Sequence, residues 1–206
     1  MTVIKFLFVT AIIICVGAFA FVNAEETVII DSDMTFAESI KGTKAPQKVI
    51  DQLCLLDVYY YSFDDKLHKG QLVVNKKVKK DVAEIFELIK SKKFKVKKAI
   101  PIVEYKWSDD ASMADNNSSA FCYRFIAGTK RMSNHSFGMA VDINPFNNPV
   151  VYKSGRVSPK GAKYNSKSEG TFSKTHPIVK AFLDRGWRWG GDFRKYKDNH
   201  HFDKKK

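Results

Sequence analysis

An α+β fold, a mainly antiparallel sheet with helices packed against it, is what this sequence predicts, and three observations carry the prediction. Residues 53–63 (LCLLDVYYYSF) and 71–75 (QLVVN) are rich in Leu, Val and Tyr and flank a polar turn, as in a strand hairpin. Between 76 and 92 the period changes: Val78, Val82, Ile85, Phe86 and Ile89 share one helical face, with lysines on the wet side. In 133–144 (SNHSFGMAVDIN), Met139, Val141 and Ile143 alternate with Ala140 and Asp142, the period-two pattern of a half-buried strand.

The other elements follow along the chain. Residues 1–24 have a basic start, an apolar run and a small-x-small ending at Ala24, the three parts of a secretory signal peptide. Cleavage after Ala24 is expected; an uncleaved leader would instead anchor the chain in a membrane. Cys15 follows three isoleucines and lacks the small residue expected before a lipidated cysteine. Residues 25–50 read as an entry arm with a helical piece. The turn at 64–70 carries His68, which reads as a surface residue without an assigned role. Residues 94–105 (FKVKKAIPIVEY) read as a strand interrupted near Pro101, 107–119 as a polar loop, and 120–125 (AFCYRF) as a strand containing Arg124. The stretch 145–172, rich in Pro, Gly, Asn and Ser, reads as an extended loop with short strand pieces along a cleft. His176 and Pro177 open a helix whose Ile178, Val179, Phe182 and Leu183 face the core, and Gly186 stops it. In 187–193 (WRWGGDF) the paired glycines let backbone or ligand come close; Trp189 either walls a cleft or, with Trp187, fills core volume.

The chemistry is concentrated at two distant places. His135 stands seven residues ahead of Asp142, and Gly138 between them permits a sharp entry into the strand or a close backbone approach. An imidazole on the entry turn and a carboxylate on the strand make half a zinc site. The run 197–203 (KDNHHFD) offers the rest. Catalytic zinc takes three protein ligands and keeps one position for water or substrate. A carboxylate nearby, not bound to the metal, accepts the proton of the activated water. Asp198 and His201 suit those two roles. His200 and His201 point to opposite faces of an extended segment, so one of them reaches a metal, and composition leaves open which.

The patterns S-x-H-x-x-G-x-A-x-D, W-x-W-G-G-D and D-x-x-H-F, in this order, resemble the VanY-like zinc peptidases of bacterial cell walls. That family includes D-alanyl-D-alanine carboxypeptidases and L-alanyl-D-glutamate endopeptidases. The similarity runs over 53–202 and includes NNSSAFCYR around Arg124. The resemblance implies the VanY-like/Hedgehog-type zinc peptidase fold, with the metal on the open side of the sheet. It implies one Zn2+ ion held by His135, Asp142 and His201, with Asp198 as general base. Arg124 would bind the substrate carbonyl or carboxylate and stabilise the oxyanion. Ser133 would hydrogen-bond substrate, and Trp189 would stand beside it. Residues 25–206 would then form one zinc peptidase domain, its core at about 53–202, hydrolysing bonds in peptidoglycan stem peptides. In the family, Asp at the base position accompanies the endopeptidases and Glu the carboxypeptidases, so Asp198 leans towards the L-alanyl-D-glutamate bond. The family's second aromatic turn often ends in Trp where this chain has Phe193.

The formal net charge is +13, and the leader carries only Lys5, so nearly all of it belongs to the exported chain. Such a surface suits anionic wall polymers or lipid headgroups. Nucleic acid is not an expected partner, because the basic runs lack interleaved aromatics and the chain is exported. No obligate protein partner is evident. A periplasmic, cell-surface or extracellular location follows from the leader. Cys54 and Cys122 are either a disulfide or two buried thiols, which their spacing leaves open. The alternative to a hydrolase is a non-catalytic, zinc-stabilised module that holds wall polymers.

Overall fold

The computed structural model describes residues 27–205, so the leader expected at 1–24 lies outside the described residues. Strand β1 (Ile29–Ile30) and the short helices α1 (Phe36–Ser39) and α2 (Gln47–Ile50) form the entry arm. The hairpin of β2 (Leu53–Tyr61) and β3 (Leu67–Asn75) follows, paired in register from Leu53 opposite Asn75 to Tyr61 opposite Leu67. Helix α3 (Lys79–Ser91) buries Val82, Ile85, Phe86 and Ile89 against β2, as its 3.6-residue period requires. It starts at Lys79 because Asn75 bends the chain first: its side chain accepts from the Lys77 N–H and its carbonyl from the Val78 N–H.

Three expected elements came out differently, each for a hydrogen-bonding reason. The strand expected at 94–105 is reduced to β4 (Lys98–Ala99) and a 3-10 turn, Ile102–Tyr105. Three of its N–H groups are taken by side chains: Lys97 donates to Asn144 Oδ1, Ala99 to Tyr60 Oη and Ile100 to Asn117 Oδ1. Pro101 has no N–H to give. The polar stretch expected to be a loop contains helix α4 (Asp109–Ala114), started by Ser108 Oγ accepting from the Ala111 N–H and favoured by Asp109 and Asp110 in its first turn. After β5 (Asn117–Ser118), residues 120–125 are not a regular strand: the Cys122 N–H goes to the His135 carbonyl and the Arg124 N–H to Ser136 Oγ.

Strand β6 (Ala140–Asp142) is followed by β7 (Val150–Tyr152) and β8 (Val157–Ser158), the short pieces expected in the 145–172 stretch. Helix α5 (Pro177–Asp184) is capped by His176, whose Nδ1 accepts from the Ile178 N–H, and it ends at Gly186 with a positive φ of 76°. Ile178, Val179 and Phe182 face the core; Leu183, expected inward, is exposed. The chain closes with β9 (Arg188–Trp189), β10 (Tyr196–Asp198) and β11 (His201–Asp203).

The architecture is α+β, with mainly antiparallel pairing spread over several small sheets rather than one. The β1-β3-β2 and β6-β11-β9 sheets share a core in which Tyr60, Phe86, Val141, Ile143, Phe172, Phe182 and Phe202 are buried. Among the described residues, no helix is long and apolar enough to cross a membrane.

Candidate metal and catalytic site

The site is built on the register of β6 and β11. His201 lies directly opposite Asp142, and Phe202 opposite Val141. Alternation then sends Val141 and Phe202 into the core and turns Asp142 and His201 together to the other face. The other edge of Asp142 is held by reciprocal backbone hydrogen bonds with Ser119, of 2.9 and 2.8 Å.

His135 arrives on a 3-10 turn, Asn134–Phe137, which Ser133 caps by accepting the His135 N–H at 3.3 Å. Gly138 ends the turn with φ +62°, and a Cβ there would lie 2.6 Å from the Asn75 nitrogen, so both the conformation and the contact require glycine. His135 Nδ1 donates to the Ala120 carbonyl at 2.5 Å, which leaves the lone pair of Nε2 to bind a metal. That Nε2 is 3.1 Å from Asp142 Oδ2 and 3.1 Å from His201 Nδ1, while His201 Nδ1 is 2.9 Å from Asp142 Oδ1.

One ligand atom from each of these three residues lies within 4.8 Å of the others, as holding a metal ion requires. The separations are close to the ~3.3 Å expected between neighbouring donors of a tetrahedral shell with bonds of about 2.0–2.1 Å. Two imidazole nitrogens and a carboxylate also match the three-ligand sets of catalytic zinc sites. Burial opposes ionisation of Asp142, but the His135 and His200 rings outweigh it and hold the carboxyl well below the usual range. Burial likewise opposes charge on His201, yet Asp142 and Asp203 raise it well above an ordinary histidine. The carboxylates that favour positive charge on His201 would equally favour a bound divalent cation, which would displace the proton from the ring.

Asp198 ends β10, and the two-residue turn Asn199–His200 leads into β11. His200 is buried; its Nδ1 meets the Asn148 carbonyl at 2.7 Å, and its Nε2 stands 3.0 Å from Asp198 Oδ1 and 3.9 Å from Asp142 Oδ2. Burial works against its charge, but these two carboxylates push it up to about 9. His200 thus sits between the candidate base and the candidate metal ligand. Gly190 packs against Asp198, where a Cβ would lie 2.3 Å from its carbonyl oxygen.

Arg124 is held by Ser136 Oγ, which accepts its N–H at 2.9 Å and donates to its carbonyl at 2.7 Å. Its guanidinium pairs with Asp109 of α4 at 2.8 Å. Burial opposes its charge and Asp109 and Asp142 reinforce it. Among the described residues, Arg124 Nε is a buried side-chain atom without a hydrogen-bond partner, whereas Asp198 Oδ1 has His200 Nε2 beside it at 3.0 Å.

Other residues singled out in the sequence fall outside the cluster. Trp189 is core: it is buried and donates Nε1 to the Asn199 carbonyl, because β9 alternation turns it inward with Phe202. Ser133 is buried and occupied in capping its turn. His68 is not on the surface; it is buried between Asp31 and Asp64, at 3.0 and 3.1 Å. His176 caps α5 between Phe94 and Phe172. Cys54 and Cys122 are both unpaired.

Asp109, Asn134 and Asp203 were missed in the sequence. Asp109 was hidden in a stretch too polar to suggest a packed helix. The other two neighbour His135 and end H-F-D, but their contacts depend on strand register.

No curated protein and no solved structure matches this chain. Residues 127–204, which contain His135, Asp142, Asp198 and His201, match the model of a peptidase family described as D-alanyl-D-alanine carboxypeptidase.

Proposed function

We propose that this chain is a zinc-dependent peptidase that hydrolyses peptide bonds in the stem peptides of bacterial peptidoglycan. The reading rests above all on three ligand-type residues from two distant motifs meeting at one point. Under this reading His135 Nε2, Asp142 and His201 Nδ1 hold one Zn2+ ion. When bound, zinc supplies a Lewis acid that lowers the pKa of water and polarises the scissile carbonyl.

The protein groups would do the rest. Asp198 takes the proton of the attacking water and delivers it to the leaving amine. His200, 3.0 Å away, keeps that carboxylate oriented and ionised. Arg124 donates to the oxygen that becomes negative as the carbonyl turns tetrahedral; its free Nε leaves it donor capacity beyond the pair with Asp109. The VanY-like/Hedgehog-type fold, a single domain over 25–206, removal of the leader and work outside the cytoplasm belong to the same proposal.

Asp198 in the base position favours the L-alanyl-D-glutamate bond; the description of the matched family favours a terminal D-alanine. Digestion of purified peptidoglycan with zinc-loaded protein, read by mass spectrometry, separates the two: stems freed at L-alanine in one case, loss of D-alanine in the other. Saturable wall binding with neither product would sink the hydrolase and leave the wall-binding module.

A further inference from the structure

Beyond the three candidate ligands, β11 presents a second acidic side chain on the same face. His201 and Asp203 are two residues apart on one strand, so their side chains emerge on the same side. His201 Nδ1 faces Asp142 and His135, and its other ring nitrogen, Nε2, faces Asp203 Oδ2 at 3.5 Å, the outer limit of hydrogen-bond reach.

Asp203 is itself fixed from two directions. Arg188, its cross-strand partner on β9, grips it bidentately, with Nε to Oδ1 at 2.9 Å and Nη2 to Oδ2 at 2.5 Å. Asn134, the residue before His135, donates Nδ2 to Oδ2 at 2.8 Å. The carboxylate is buried although Arg188 is half-exposed, and Phe193 stands 6.0 Å from the His201 ring and 5.9 Å from the Arg188 guanidinium. A buried carboxylate tied to the turn of one candidate ligand and facing the ring of another is placed to position both.

We infer that Asp203 is a positioning residue: it accepts the Nε2–H of His201 and so directs Nδ1 at the metal, while Arg188 and Asn134 hold Asp203 in place. The inference rests on the zinc site proposed above. A histidine that binds metal through one nitrogen commonly gives the other N–H to a carboxylate, which fixes its tautomer and ring angle and raises its basicity. His135 has the equivalent arrangement with the Ala120 carbonyl. The two imidazoles would then present opposite nitrogens to one ion.

The test uses zinc-loaded wild type, Asp203→Ala and Asp203→Asn, with zinc affinity measured by competition with a chelating dye. The His201 ring protons are followed by NMR of protein carrying 15N-histidine. Wild type should show a solvent-protected His201 Nε2–H. In Asp203→Ala that proton should exchange rapidly and zinc should bind about 10- to 100-fold more weakly. Asp203→Asn, which keeps a neutral acceptor, should lose less affinity, and it decides the matter on the same readouts if the alanine variant fails to fold. Zinc binding within about twofold of wild type would overturn the inference, and so would weaker binding with the Nε2–H still protected, the mark of a purely structural role. Wild type that binds no zinc, or His135→Ala that binds it undiminished, would instead overturn the zinc site itself.

Discussion

His201 lies directly opposite Asp142 across the antiparallel pair of β6 and β11, with Nδ1 2.9 Å from the carboxylate. The backbone ladder therefore sets the distance between two candidate ligands, and only His135 depends on a separate turn. Holding and reacting should consequently be separable by mutation.

His135→Ala should purify without stoichiometric zinc. Asp198→Ala should retain it while turnover falls about 10²- to 10⁴-fold, the usual share of a general base. Metal content and muropeptide release, measured on the same samples, check this; wild-type release by both variants would disprove the residue roles.

Arg124→Lys should keep zinc and lose turnover by about 10²-fold, because an ammonium cannot reproduce the planar fork that serves Asp109 and the oxyanion together. Unchanged turnover on muropeptides would remove Arg124 from the reaction.

Gly190→Ala should impair activity more than folding. The added methyl would meet the Asp198 carbonyl oxygen at 2.3 Å and its Cβ at 2.7 Å, so β10 must shift and carry the candidate base with it. Comparing turnover with thermal unfolding separates the two effects.

Asp81 joins α3 to the end of the chain, accepting from Trp187 Nε1 at 2.9 Å and from Lys204 Nζ at 2.7 Å. Burial raises its carboxyl, but Lys204 and Trp187 outweigh that and hold it below the ordinary value. A depressed folded pKa means a contribution that is complete above the unfolded pKa and lost as pH falls through the folded one. Asp81→Ala should cost about 1–2 kcal/mol at neutral pH. The gap in Tm between wild type and variant should hold steady from neutrality down to about pH 4 and close below it.

Burial, with Asp109 nearby, pushes the Cys122 thiol up to about 12. At pH 8 it should resist alkylation in the folded protein, and both Cys54 and Cys122 should react once guanidinium unfolds the chain, as mass spectrometry of labelled peptides would show. A bridged pair would take up no label in either state.

What the sequence made legible was mostly local periodicity. The face of α3 from Val82 to Ile89 and the Leu-, Val- and Tyr-rich strands of the hairpin could be read because burial there follows one repeat. Residues 94–105 misled for the opposite reason: their composition suits a strand, but three of their N–H groups go to side chains of Asn144, Tyr60 and Asn117, which local pattern does not reveal. Helix α4 was obscured because a serine cap and two aspartates resemble a loop until Arg124 is seen to pair with one of them. His135, Asp142 and His201 stood out through their spacing and resemblance to a family. The ring nitrogens they present depend on the Ala120 carbonyl and on Asp203, which motif spacing does not reveal.

The turn that carries His135 is propped from outside the stretch that matches the family. Asn75, at the end of β3, gives its N–H to the Gly138 carbonyl at 2.9 Å and its side-chain amide to the Phe137 carbonyl at 3.0 Å. A fragment pared to 127–204 would leave those oxygens bare and take away the Ala120 carbonyl that orients the imidazole. The amino-terminal hairpin is therefore scaffolding for the candidate site, and any miniature of this chain has to keep it.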